Sequence, residues 1–111
     1  MSDETFEETL GRLRSRYVVK ARLRCDGLEA ALDALEASAS NAEALDELQQ
    51  SFHKLSGSGA TYGFPRVTEL GLQGELACDV IRKRTTLVSG DEIEALRGFV
   101  RELRLEFDES S

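Results

Sequence analysis

Proline occurs once in this chain, at Pro65, histidine once, at His53, and valine, isoleucine and aromatic residues are sparse beside leucine, alanine, glutamate and arginine. So few β-branched and aromatic side chains argue against a strand-built core and favour helix throughout. No apolar run approaches the roughly 20 residues that cross a bilayer. The start, Met1-Ser2-Asp3-Glu4, is acidic and lacks the basic-then-apolar layout of an export signal, so a cytoplasmic location is expected. Cys25 and Cys78 lie far apart, and with one histidine they do not make a four-ligand zinc site. Both fall on apolar helical stripes and read as reduced core thiols; a disulfide between neighbouring helices stays open. The formal net charge of -7 argues against nucleic acid as the general partner and against adsorption to an anionic membrane.

What remains is a chain of 111 residues, 41% apolar, enough for one hydrophobic core and so for a single domain over 1–111. The first helical region runs from about Glu4 to Ala37. Phe6, Leu10, Leu13, Tyr17, Ala21, Cys25, Leu28, Leu32 and Leu35 recur at three or four, a continuous apolar seam. Thr5 with Glu8 has the form of a capping box. A helix this long invites a kink or a break into a short N-terminal helix and a longer one, at Gly11, Gly27 or Ser15–Val19; the pattern does not choose between these.

Ser38–Asn41 is a polar connection, and Ser40 with Glu43 is a second capping box opening a helix from about Ala42 to Tyr62. Gly63-Phe64-Pro65 ends that helix, and Pro65 suits the first position of the next, about Pro65 to Arg84. This third helix carries Val67, Leu70, Gly74, Cys78 and Ile81 on one side and Leu72, Leu76 and Val80 on nearly the other, so it is either central or shows a patch to a partner. Arg82-Lys83-Arg84 reads as solvated charge at a helix C-terminus. Thr85–Ser89 connect to a last helix opened by a third capping box, Ser89 with Glu92, with Ile93, Leu96, Val100, Leu103 and Phe107 in one stripe. Residues 106–111 read as an acidic, fraying tail. Four amphipathic helices with short links make an all-α, antiparallel up-down-up-down four-helix bundle.

The second helix carries the chemistry. Leu45, Leu48, Phe52, Leu55, Gly59 and Tyr62 share one stripe, and His53 lies about 130° from its centre, pointing outward. Gly57 and Ala60 follow near the same line, so the surface beyond the ring is bare. Two glycines within a helix cost about 1 kcal/mol each against alanine, and their retention suggests close approach of a partner to that face.

His53-Lys54-Leu55-Ser56-Gly57-Ser58, followed by Gly63, resembles the H-x-L-x-G-S/A signature of histidine-containing phosphotransfer (HPt) domains, the four-helix modules of bacterial multistep phosphorelays. The resemblance covers almost the whole chain, including the histidine on the second long helix and the G-F-P break after it. It implies a phosphocarrier rather than an enzyme, with His53 accepting a phosphoryl group. A neutral imidazole is nucleophilic near pH 7, its ordinary pKa being about 6.5. In the family an orienting group sits about twenty-two residues after the histidine, which counts to Glu75, with Gln73 in reserve. The implied partners are a response-regulator receiver domain, a sensor histidine kinase, or both; the Mg²⁺ of the transfer belongs to the receiver, and no metal or cofactor is expected in this chain. Many HPt domains place a lysine three residues after the histidine. Here that position is Ser56 and the cation is Lys54, so both are candidates to stand near the phosphoryl oxygens.

The docking surface is expected around Gln49, Gln50, Lys54, Gly57 and Ala60, with Leu72 or Leu76 adding apolar contact and Lys54 and Arg66 steering. A monomer is expected. Two other accounts compete: the amino-terminal phosphorylated module of a larger chemotaxis-type kinase, and a non-phosphorylated helical adaptor. The initial Met1 and polar tail favour a free-standing protein over the first of these.

Overall fold

The amphipathic periods of the sequence become four helices in the computed structural model, which describes residues 4–84 and 87–108. They are α1 (Phe6–Ala37), α2 (Ala42–Ser58), α3 (Pro65–Lys83) and α4 (Gly90–Asp108), with a single 3₁₀ turn at Ala60–Tyr62 between α2 and α3. Each start has a local cause. The Thr5 hydroxyl accepts from the Glu8 amide at 3.1 Å. Pro65 occupies the first turn of α3, where its missing N–H costs nothing. Ser89 and Glu92 form the reciprocal capping box, Glu92 N donating to Ser89 Oγ at 3.1 Å and Ser89 N to a Glu92 carboxylate oxygen at 2.9 Å. For α2 the expectation is corrected: Asn41, not Ser40, is the cap, its Oδ1 accepting from Ala44 N at 3.0 Å.

Cross-helix polar pairs fix the topology. His53 with Glu75 and Asp46 with Arg82 run α3 antiparallel to α2. Asp26 and Glu29 with Arg104, and Asp33 and Glu36 with Arg97, run α4 antiparallel to α1. Tyr17 and Ser58 set α1 against α2. Helix α1 therefore neighbours α2 and α4, and α3 neighbours the same two: an up-down-up-down four-helix bundle. All four helices feed one core, which includes Leu28, Leu48, Phe52, Leu70, Leu103 and Phe107. Cys25 and Cys78 are buried and unpaired, which closes the disulfide alternative. Burial pushes their thiols up to about 11 and about 12.

Two further sequence expectations are overturned. First, α1 is one continuous helix of 32 residues, with no break at Gly11, Gly27 or Ser15–Val19. Its seam outruns the bundle: Phe6 is 80% exposed, and Leu10 and Leu13 are exposed too, because no neighbouring helix reaches that far. Second, α2 stops at Ser58 rather than Tyr62. The apolar stripe continues through the 3₁₀ turn, where Tyr62 stacks on Tyr17 with ring centroids 4.5 Å apart. Arg82 and Lys83 stand exposed in the last turn of α3, as expected for end charges, and with Arg84 they also pair with Asp46, Asp79 and Glu92 respectively. Residues 106–108 of the expected fraying tail belong to α4, with Phe107 fully buried; residues 1–3 of the acidic start, the first two residues of the 85–89 connection and residues 109–111 of the tail lie outside the described residues.

Glycines set the spacing of α2 and α3. A Cβ on Gly71 would stand 2.6 Å from Ser56 N and 2.8 Å from Phe52 O. One on Gly59 would stand 2.8 Å from both Phe64 O and Thr68 N. Gly59 therefore serves an internal approach of the chain to itself, not the approach of a partner. At Gly57 nothing lies within 4 Å, and there the open notch stands.

Candidate functional site

Helix α2 turns Phe52 inward and so carries His53, about 100° further round, to the flank facing α3. Its side chain is 70% exposed. On α3, Gly71 and Gly74 lie flat against α2, and this close packing brings the next residue, Glu75, within reach. His53 Nδ1 lies 3.0 and 3.1 Å from the two carboxylate oxygens of Glu75, across 22 residues of sequence. An ionised carboxylate only accepts hydrogen bonds, so this contact places the ring proton on Nδ1. Nε2 is left with its lone pair. The Glu75 side chain is only 24% exposed, so the anchor is sheltered while the ring it holds stands in solvent.

Around the ring lies a shallow hollow lined by Gln49, Gln50, His53, Lys54, Glu75 and Arg82. Arg82 is the member that sequence reasoning missed. Its guanidinium donates to Gln49 Oε1 at 2.5 Å and pairs with Asp46 at 3.2 Å, which fixes one wall. The signal was present, since Arg82 falls seven residues after Glu75 and so on the same stripe of α3.

The other expected residues divide. Lys54 is exposed and lines the hollow. The Ser56 hydroxyl donates back to the His53 carbonyl at 2.7 Å, so it is occupied within its own helix. Gln73 is exposed but sits about 200° round α3 from Glu75; it belongs to the opposite flank and makes no hydrogen bond to His53. Ala60 lies past the end of α2, its amide donating to Thr68 Oγ1 at 2.8 Å. Leu72 and Leu76 are exposed on the outer face of α3, outside the hollow. Arg66 is not free to steer a partner, because it pairs with Glu69 and Glu102, both at 3.2 Å.

Among the described residues, no cluster of three or more His, Cys, Asp or Glu is placed to hold a metal ion. No helix among them is long and apolar enough to cross a membrane. The arrangement offers one exposed imidazole nitrogen, a carboxylate that orients and can neutralise the ring, and bare surface one turn on.

No curated protein matches the chain, and no solved structure does. The family model described as Hpt domain matches residues 12–108, a span that contains α2, α3 and α4 and all of α1 except its first turns. With four helices in a bundle and an outward histidine on the second, the chain belongs to the Hpt domain family, the histidine phosphotransfer modules of phosphorelays.

Proposed function

We propose that His53 carries the phosphoryl group, exchanging it with an aspartate on a response-regulator receiver domain. The observation that carries this reading is the Nδ1–Glu75 contact, which leaves Nε2 as the free nucleophile. The Nε2 lone pair attacks phosphorus of the partner's aspartyl phosphate. A P–N bond forms, the P–O bond to the aspartate breaks, and its electron pair leaves with the carboxylate. The ring keeps its Nδ1 proton throughout, so the phosphorylated imidazole is cationic, and Glu75 offsets that charge. Return transfer reverses each step.

Glu75 acts as a positioning residue for His53. Lys54, which lines the same hollow, is our candidate to meet phosphoryl oxygens. Gly57 supplies clearance for the incoming partner. The chain binds and holds the phosphoryl group, while the transfer is catalysed mainly by the partner. Mixing the protein with a panel of phosphorylated receivers tests this reading. Wild type should take up acid-labile, alkali-stable label and His53→Gln should take up none. Label persisting in the mutant would sink the assignment.

A further inference from the structure

In this acidic chain five cations have no carboxylate partner among the described residues: Arg14, Arg16, Lys20, Arg24 and Lys54. Every lysine and arginine from α3 onward is, by contrast, held in an ion pair, from Arg66 with Glu69 and Glu102 to Arg104 with Asp26 and Glu29. Four of the five unpaired cations belong to one stretch of α1. Between Glu8 and Asp26 the sequence has six lysines and arginines and no acid, so the rest of the chain is more acidic than its net charge suggests.

The register of α1 on α2 places part of this stretch level with the histidine along the bundle axis, on the flank of α2 where Lys54 stands. Tyr17 Oη and Ser58 Oγ lie 2.9 Å apart. The helices are antiparallel and share a rise of about 1.5 Å per residue, so each step forward from Tyr17 is one step back from Ser58. Lys20 is then level with Leu55 and Arg24 with Ser51, which brackets His53 and Lys54. Spacings of three and seven keep Lys20 and Arg24 on the stripe of Tyr17, the flank turned to α2. Arg24 is near enough to act electrostatically on the Tyr17 hydroxyl. Lys54 joins the two features, since it lines the His53 hollow. Arg14 does not belong to the strip, because it stacks over the Phe64 ring at 5.0 Å.

We propose that Lys20, Arg24 and Lys54 form a cationic docking strip alongside His53, and that it receives a carboxylate-rich protein surface bordering the partner's phosphorylated aspartate. This deepens the phosphotransfer reading and rests on it. The size and the charge of the strip select its occupant. From Tyr17 to Arg24 is about 10 Å of helix, which suits a compact acidic patch. An extended polyanion such as nucleic acid, or an anionic bilayer, would also meet the surrounding negative charge. Cations with no internal partner keep their full field for long-range attraction, so the strip acts mainly on the rate of encounter.

The test compares the full-length wild type with Lys20→Glu/Arg24→Glu, a change that breaks no ion pair. Two donors are used: phosphoramidate, a small phosphodonor that needs no docking, and a phosphorylated receiver found competent in the panel above. The receiver rate, divided by the phosphoramidate rate and measured across a series of ionic strengths, should fall about tenfold in the variant at low salt and lose its salt dependence. Lys20→Ala/Arg24→Ala should fall between the two. A normalised rate and salt dependence equal to wild type would overturn the strip while leaving His53 as acceptor. Binding to phosphatidylserine vesicles through the same two side chains, with receiver transfer untouched, would overturn it as well. Wild-type protein labelled at His53 by neither donor would remove the phosphotransfer reading, and the strip with it.

Discussion

Gly74 lies against the ring of Phe52, so close that a Cβ on the glycine would stand 2.5 Å from the ring carbons Cγ and Cδ1. Phe52 is itself fully buried and edge-on to Phe99, so it has little room to yield. This contact, with Gly71 against the backbone of Ser56 and Phe52, sets how near α3 comes to α2. Glu75 follows Gly74 and depends on that distance.

Enlarging either glycine should therefore damage fold and site together. Gly71→Ala and Gly74→Ala are expected to destabilise the protein by about 1–3 kcal/mol, the usual penalty for overpacking, with a fall of several degrees in Tm. Gly71→Ala should be the less forgiving, since backbone does not change rotamer. Thermal unfolding reads the first effect, and phosphotransfer to His53 at a temperature where the variant is folded reads the second. Unchanged Tm in both variants would contradict the close packing.

Gly57→Ala should behave in the opposite way. Nothing lies within 4 Å of the added methyl group, so the helix gains the alanine preference of up to about 1 kcal/mol. A higher Tm is expected. Gly57→Leu should fold equally well yet slow transfer from a receiver, because its side chain fills the notch beside the ring. Phosphoramidate labelling of the same variant separates blocked docking from a disturbed histidine.

Removing the anchor of the ring should cost rate while leaving the fold. Glu75→Ala abandons a hydrogen bond to a charged group, worth about 2 kcal/mol or roughly thirtyfold. Glu75→Gln retains an acceptor for Nδ1–H but no charge to offset a cationic ring, so its loss should be smaller. Transfer rates of the two variants, compared with their Tm values, check the order Ala below Gln below wild type.

Acid should weaken the start of α4. The Arg84 guanidinium, aided by the Ser89 amide, holds the Glu92 carboxyl down to about 2 from its ordinary 4.5. A depressed carboxyl contributes stability that is complete above its unfolded pKa and is lost as pH falls through its folded one. Wild type should therefore exceed Glu92→Gln by about 1 kcal/mol at neutral pH. The gap should close between about pH 4.5 and pH 2, as read by denaturant unfolding at several pH values.

Much of this arrangement was legible in the sequence, and the parts that were not share a cause. Helical period exposed the buried stripes of α2 and α4 directly, because burial selects side chains by hydropathy. It also predicted that His53 would face outward. Glu75 came from the family spacing, since an exposed glutamate carries no local mark of its partner. Gly71 went unread because a residue with no side chain leaves no trace in a hydropathy pattern, although it governs the distance between two helices. Arg82 passed for an end charge for a related reason: its role depends on Asp46 and Gln49, which only the antiparallel register brings opposite. Phe6, Leu10 and Leu13 extended the seam correctly as a pattern, but periodicity says nothing about where a neighbouring helix stops.

On α4, Arg97 and Arg104 each straddle a pair of α1 carboxylates, Asp33 with Glu36 and Asp26 with Glu29, and Arg22 reaches from α1 to Asp108. Where α2 and α3 come closest, the contact is glycine against backbone and ring. Dissolved ions thus reach the two seams unequally. Electrolyte softens the α1–α4 seam, where charge holds charge, and leaves the glycine packing of α3 on α2 beneath the imidazole unchanged. A transfer rate that changes with salt consequently reports on charged contacts, those between the two proteins and the His53–Glu75 and Asp46–Arg82 pairs, and not on the spacing of α2 and α3.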